Sequence, residues 1–506
     1  LKLSDWREKR GWLLETGLGP TLPPERWMVV GLMALAALLR LFALDAESLW
    51  FDETYSVAFA STDLSWLSVL RPGGVPFAEK NVYNVFMHFW LALGQTDFMI
   101  RLPSALFGVA TVGVVFLVAR RLFGRHTALW GAVLVAVAPF QIWYSQEARM
   151  YALAALFAWL SVWAALKGLD GGRRWPWLLY LVSAALGLYT HSFTGFLLLA
   201  LNLWIVLTFL LDASRRRSFV PWLAANLIVL GLAVPWLAGT LQQRDLGWWD
   251  WVESKYGAPG LEQLLRLVSN FALGTVRPDW DWQAWIALAS WGIALLLGLI
   301  PPAREDGRSW WLSGGQQWTL AVILAAVPVL TVFALSQFVP MFVLRYTFAF
   351  MPAFALLAGR GLARLRRPLV RWGVILPYFA GVALILAQVY FVPQKEDWRG
   401  AAAYLTENAP PGAAIFLVDE DIRVPVEHYY KQPAEFIQIW RGEVTDAELS
   451  RKIDPVRKRT DEAWLVVSHT DNDAVEQYML HFADIVEKRE FTGVSVFYFH
   501  WLGGGG

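Results

Sequence analysis

The chain has 506 residues, of which 57% are hydrophobic and 17% charged, with a net charge of +1. At a mean hydropathy of +0.41 it lies outside the soluble range, where about a quarter of residues are charged, and its charge balance leaves no bulk electrostatic case for nucleic acid. Cysteine is absent, which excludes disulfides, thiolate metal sites and cysteine nucleophiles.

Residues 1–26 are polar and basic, with Arg7, Lys9, Arg10 and Arg26, and read as a cytoplasmic, interfacial N-terminus. A start at Leu1 rather than Met is what a processed or trimmed end would give. The first apolar run, 27–44, has eighteen residues. At about 1.5 Å per residue it covers most of a ~30 Å hydrocarbon core. Residues 45–101 follow as a first outer loop, with an amphipathic helix around Val82–Leu93. That segment is short, carries Asn84 and His88, and is expected on the membrane surface.

Ten further spans are expected at 102–121, 127–144, 149–167, 176–190, 194–211, 220–238, 283–300, 317–336, 346–359 and 372–391, making eleven. A second large outer loop at 239–282 holds a short helix near Leu261–Leu273. With eleven spans, Arg120, Arg121 and Arg125, then Lys167, Arg173 and Arg174, then Arg215–Arg217, then Arg304 and Arg308, then Arg364, Arg366, Arg367 and Arg371 all fall on the side of the N-terminus. Basic connections mark the cytoplasmic face, so the N-terminus is expected inside and the C-terminus outside. Many of the thirty Trp lie near the ends of apolar runs, where amphipathic rings favour the interface.

Residues 393–502 change character. Strand-length runs at 414–418, 463–467 and 494–499 alternate with helical patterns near 398–407, 425–430 and 473–482. This predicts a small α/β domain outside the membrane. The tail Gly503–Gly506 reads as a linker scar. The fold class is therefore a polytopic α-helical membrane domain, 27–392, with a C-terminal α/β domain.

The expected outer face collects the residues able to do chemistry. Asp52 and Glu53 adjoin the end of the first span, and a carboxylate with restricted water is a candidate general base; a solvated pair capping a helix is the plainer alternative. Arg101, Arg149 and Arg345 each stand at an outer helix start, with Tyr151 and Tyr346 beside the last two. Guanidinium forks suit phosphate, whereas anchoring to lipid headgroups would need no ligand. His191 could bind a metal or donate to phosphate, and Lys80, next to Glu79, could add charge at a leaving phosphate. No phosphate-cradling Gly-rich loop or dinucleotide fingerprint occurs. A transferase acting outside the membrane would then need a lipid-carried donor.

In order, Phe51-Asp52-Glu53-Thr54-Tyr55, Glu79-Lys80-Asn81, Arg101-Leu102-Pro103-Ser104-Ala105, Ser145-Gln146-Glu147-Ala148-Arg149-Met150-Tyr151, Tyr189-Thr190-His191 and Arg345-Tyr346 resemble the bacterial GT-C membrane glycosyltransferases, relatives of protein O-mannosyltransferases and lipid A aminoarabinose transferases. Lys395-Glu396-Asp397-Trp398-Arg399-Gly400 is similar to the junction with the outer domain in many of them. The resemblance implies a polyprenyl-phosphate sugar donor, with Asp52 as base, Glu53 supporting it, Arg101 essential nearby, and Arg149 and Arg345 on the donor phosphate. It also implies a phosphate-binding role for Lys80, and it makes Glu79 and His191 weak candidates for a divalent metal ion; no cofactor is certain. Many relatives carry His-Pro-Pro or Lys-Pro before the surface helix, where this chain has Asn81-Val82-Tyr83-Asn84.

The expected function is sugar transfer, with inversion, to a lipid, glycan or protein acceptor at the outer face of the plasma membrane. Protein partners could dock through 393–502. The rival readings are a transporter of a lipid-linked intermediate, which internal repeats would favour and none is seen, and a catalytically silent subunit that scaffolds a complex.

Overall fold

The structure, a computed structural model, describes residues 23–70, 82–171, 173–242, 257–274, 282–305, 309–419, 421–440, 445–469 and 473–502. By its contacts the chain divides into two compact units. The first comprises Leu1–Phe42, Trp66–Phe86 and Arg101–Val389; the second comprises Ala43–Ser65, Met87–Ile100 and Tyr390–Gly506.

Among the described residues, eight helices are long and apolar enough to cross a membrane: Asp97–Phe123, Tyr151–Gly168, Thr194–Leu211, Ala213–Pro235, Trp282–Leu299, Trp311–Leu335, Leu344–Arg364 and Pro368–Phe391. The span expected at 127–144 is broken instead. Helices Arg125–Val137 and Pro139–Ser145 meet at 57°, and count as a ninth crossing if taken together. The proline ring has no N–H to donate and clashes with the preceding turn, which favours a break at Pro139. Two other expected spans are helical but less clear-cut. Pro23–Leu41 carries Glu25, Arg26 and Arg40, and Trp175–Thr190 has 16 residues, fewer than the ~20 of an ordinary crossing. The count of eleven is thus approximate. The expected short helix is present as Val82–Trp90, ending in a 3-10 turn at Leu91–Leu93.

Inside the first unit the break at Pro139 is repaired by a buried arginine. Arg40 donates from Nη1 to the carbonyl of Ala136 (2.9 Å) and from Nη2 to that of Val135 (3.2 Å). Those are carbonyls at the end of the Arg125–Val137 helix, where intrahelical donors run out. Helix Met351–Arg364 packs on both Arg125–Val137 and Trp282–Leu299. Glycines set these contacts: a Cβ on Gly359 would overlap the backbone of Gly131, and one on Gly361 the carbonyl of Ala294. Small residues of this kind let backbones approach closely where lipid supplies no hydrophobic drive between helices. Arg360 closes the same contact by donating to the carbonyls of Gly298 and, at 2.8 Å, Ile300.

The second unit is built on a five-stranded sheet in the order β2-β1-β3-β5-β4. Its strands are β1 (Ala413–Asp419), β2 (Ala434–Trp440), β3 (Glu462–Ser468), β4 (Ala483–Phe491) and β5 (Val494–Trp501). β1 runs parallel to β2 and β3, while β5 runs antiparallel to β3 and β4. Alternation along β1 sends Ile415 and Leu417 into one core with Trp398, Leu405 and Val426, and Phe416 into another with Leu449, Ile453 and Met479. Helices thus cover both faces, which explains why the central strands read as unbroken apolar runs. The expected runs 414–418, 463–467 and 494–499 fall on β1, β3 and β5, whereas β2 and β4 have no expected counterpart. Both are edges, and β4 carries Glu487, Lys488, Arg489 and Glu490. Charge of this kind protects a sheet edge and hides it from an apolar-run search.

Gly361→Val should lower the stability of the detergent-solubilised protein by about 1–3 kcal/mol, the usual range for overpacking. Gly231, with nothing within 4 Å of an added Cβ, is the control: Gly231→Ala should be neutral or stabilising by up to ~1 kcal/mol. Thermal melting of both variants checks this.

Candidate functional site

In the first unit, three connections bring the expected outer residues together. The turn after helix Pro139–Ser145 carries Glu147 and Arg149 and leads into Tyr151, the first residue of the next helix. The N–H of Arg149 donates to the carbonyl of Glu147 at 2.8 Å, which tightens the turn. His191 is the extended residue that ends helix Trp175–Thr190. Arg345 and Tyr346 lie in the 3-10 turn Leu344–Phe350 that feeds helix Met351–Arg364, whose Pro352 suits a helix start.

The rings from these connections interlock. Tyr346 lies 5.0 Å from His191, 5.3 Å from Phe193 and 6.4 Å from Tyr151, and Tyr151 lies 5.8 Å from His191. The Arg345 guanidinium sits 5.8 Å from the Tyr346 ring. Tyr151, His191, Arg345 and Tyr346, drawn from three separate stretches, therefore form one group, and Arg149, two residues before Tyr151, is near enough for its charge to act on His191. Phe193 also belongs to it, although an aromatic beside an apolar run carries no sequence signal of its own. Arg101 is buried at 2% exposure. One turn on, Ser104 donates from Oγ to the carbonyl of Arg149 (3.2 Å) and meets the hydroxyl of Tyr83 (3.1 Å).

Burial, with the charges of Arg149 and Arg345, pushes His191 down to about 3. Its Nδ1 accepts the N–H of Phe193 at 3.2 Å. The charges of Arg149 and Arg345 beside a neutral imidazole suit an anion. A divalent cation beside His191 would face both positive charges, and among the described residues no three His, Asp or Glu side chains gather as a metal site needs. Glu79 and Lys80 lie outside the described residues.

In the second unit, Asp52 and Glu53 occupy the first turn of helix Phe51–Phe59, where the helix dipole favours carboxylates. Their environments differ. Glu53 is fully buried, accepts the N–H of Trp50 at 3.3 Å and pairs with Lys395 Nζ at 3.4 Å. Asp52 is half-buried. Glu396 accepts the N–H of Phe51 at 2.9 Å and meets His469 Nε2 at 2.6 Å. Lys395 and Glu396 were legible only as part of a junction motif, and nothing in the sequence ties His469, 73 residues on, to them.

His191 should stay neutral between pH 5 and 8, so its ring nitrogens should show no titration there in histidine-labelled NMR spectra. Its ordinary pKa is 6.5 and its folded value about 3. Between those values the unfolded chain takes up a proton that the folded chain does not, so this contribution to stability declines as pH falls through that window.

Residues 81–238 match the family model described as dolichyl-phosphate-mannose-protein mannosyltransferase. No curated protein sequence matches the chain. Among solved structures, ArnT from Cupriavidus metallidurans bound to undecaprenyl phosphate is similar at a TM-score of 0.60 and 15% identity, over 93% of this chain and 97% of that one. The apo Archaeoglobus fulgidus oligosaccharyltransferase is similar at 0.53 and 12%, over 88% and 69%. The Archaeoglobus fulgidus oligosaccharyltransferase AglB, in complex with an inhibitory peptide and a dolichol-phosphate, is similar at 0.53 and 11%, over 94% and 74%. With its apolar helices and small C-terminal sheet domain, the chain is a multi-pass membrane protein with the fold of the GT-C glycosyltransferases.

Proposed function

We propose that this protein is a glycosyltransferase that moves one sugar from a polyprenyl-phosphate-linked donor to an acceptor at the outer face of the plasma membrane. The observation that carries the reading is the gathering of Tyr151, Arg345 and Tyr346 around His191, which burial and the charges of Arg149 and Arg345 hold neutral. Two guanidinium charges near a cluster of rings suit a phosphate at the end of an isoprenoid chain. The undecaprenyl phosphate on the ArnT structure and the dolichol-phosphate on the AglB structure support the same ligand class.

Asp52 takes the proton from the acceptor hydroxyl or amine. The acceptor atom forms its bond to the anomeric carbon as the bond from that carbon to the phosphate oxygen breaks. The electron pair leaves with the polyprenyl phosphate, whose charge Arg149 and Arg345 stabilise, as preorganised cations do for a leaving group. Arg101 and Lys80 add positive charge to the same end of the reaction. One base and no second nucleophile gives inversion. Glu53, held by Lys395 and the Trp50 N–H, serves the helix that carries Asp52 rather than acting as a second base.

Native mass spectrometry of the purified protein tests this, comparing wild type with Asp52→Asn. A polyprenyl phosphate sugar enriched on the variant is the expected result, and its mass names the donor. Bulk phospholipid alone on both proteins would leave the arginines as headgroup anchors and move the reading to a scaffold.

Arg149→Ala and Arg345→Ala should each weaken undecaprenyl phosphate binding about 10- to 100-fold, since a hydrogen bond to a charged group contributes about 1.5–3 kcal/mol. Lipid titration followed by tryptophan fluorescence checks the loss.

A further inference from the structure

We propose that Glu396 is a positioning residue for Asp52, acting through the first turn of helix Phe51–Phe59; this rests on Asp52 being the base. The helix has nine residues, too few to hold an orientation by itself. Its direction must come from what grips its start. The N–H groups of Glu53 and Thr54 turn inward to the carbonyl of Trp50, at 2.9 and 3.1 Å. The N–H of Phe51, adjacent to Asp52, goes instead to Glu396 Oε2 at 2.9 Å. A carboxylate at a helix start is a strong acceptor and is favoured there by the dipole.

Glu396 is itself held on both oxygens. Oε2 also accepts the indole N–H of Trp398 at 2.8 Å, and Trp398 is fully buried in the sheet domain's core. Oε1 meets His469 Nε2 at 2.6 Å. His469 has a φ of 62°, a left-handed conformation that a non-glycine residue keeps only where its surroundings enforce it. Its ring lies edge-on to Phe51 at 5.3 Å, and Ser468 Oγ stands 3.3 Å from Nδ1. The carboxylate of Glu396 is therefore a fixed strut between the sheet domain and the residue before Asp52.

The approach to the helix is pinned by the same stretch. Ser48 donates to the carbonyl of Glu396 at 2.6 Å, and the N–H of Lys395 donates to Glu47 Oε1 at 3.0 Å. Arg399 donates to the carbonyls of Asp45 and Glu47, both at 3.2 Å. The N–H of Leu49 donates to the hydroxyl of Tyr429 at 2.7 Å, and that hydroxyl donates to Asp97 at 2.7 Å. Most of these contacts fix the loop. The Glu396 contact reaches the residue next to Asp52, so its loss should tilt the base while leaving the fold standing.

The test uses the full chain in detergent, a panel of undecaprenyl-phosphate-linked hexoses and pentoses, and release of undecaprenyl phosphate as readout. Glu396→Ala should lower kcat about 10- to 100-fold, the scale of a misplacement near 1 Å, with KM for the lipid within about two-fold. Glu396→Gln, which keeps an oxygen for the Phe51 and Trp398 donors, should recover most of the rate. In an Asp52→Asn background Glu396→Ala should cost nothing further, as expected of a residue that acts through the base. Hydrogen exchange should speed up at the 51–55 amides and not across the sheet. Wild-type kcat in Glu396→Ala, with Asp52→Asn inactive, overturns this inference and leaves the base in place. Full turnover in Asp52→Asn overturns the base reading, and this inference with it.

Discussion

A backbone carbonyl inside a bilayer has no water to turn to, so every break in a helix must be repaired from within the protein. Pro139 imposes such a break, and the chain answers it with Arg40, fully buried with its guanidinium on the carbonyls of Val135 and Ala136. The break also positions the candidate site. It redirects the chain into the short helix Pro139–Ser145 and then into the turn carrying Glu147 and Arg149. A straight helix through Pro139 would deliver those residues elsewhere. Close helix contacts made by Gly131, Gly298, Gly359 and Gly361 then hold the Met351–Arg364 helix, and with it the preceding turn that carries Arg345.

Charge is spent differently in the two units. In the first, Arg149 and Arg345 are gathered around an imidazole that their own charge and burial keep neutral. Gathering positive charge in a place of low dielectric is costly, and an anion would offset that cost. In the second, the carboxylates are matched to donors. Glu53 has Lys395, Asp97 has Arg399 and Tyr429, and Glu396 has His469 and two N–H groups. The stretch 394–399 supplies several of these partners around the start of the helix that carries Asp52.

Much of this was readable in the chain. The apolar runs follow from the bilayer as a solvent, a constraint strong enough to show residue by residue, and with the shorter runs after 393 they point to a membrane helix bundle with a small α/β domain. The residues Arg149, Tyr151, His191, Arg345 and Tyr346 could be singled out because polar groups at the ends of apolar runs stand out against their background. The edge strands β2 and β4 could not, since solvent-facing strands look like loops.

What sequence alone determined was therefore the solvent of each segment and the chemical type of the site groups, because both are properties of single side chains and short runs. The tertiary structure decided which of those groups meet. Arg149 and Arg345 are nearly two hundred positions apart, yet both bear on His191. Glu396 reaches Phe51 across a separation of 345 residues, and His469 reaches Glu396 across 73. Contacts of that range depend on packing and on where a helix breaks, and no local pattern encodes them.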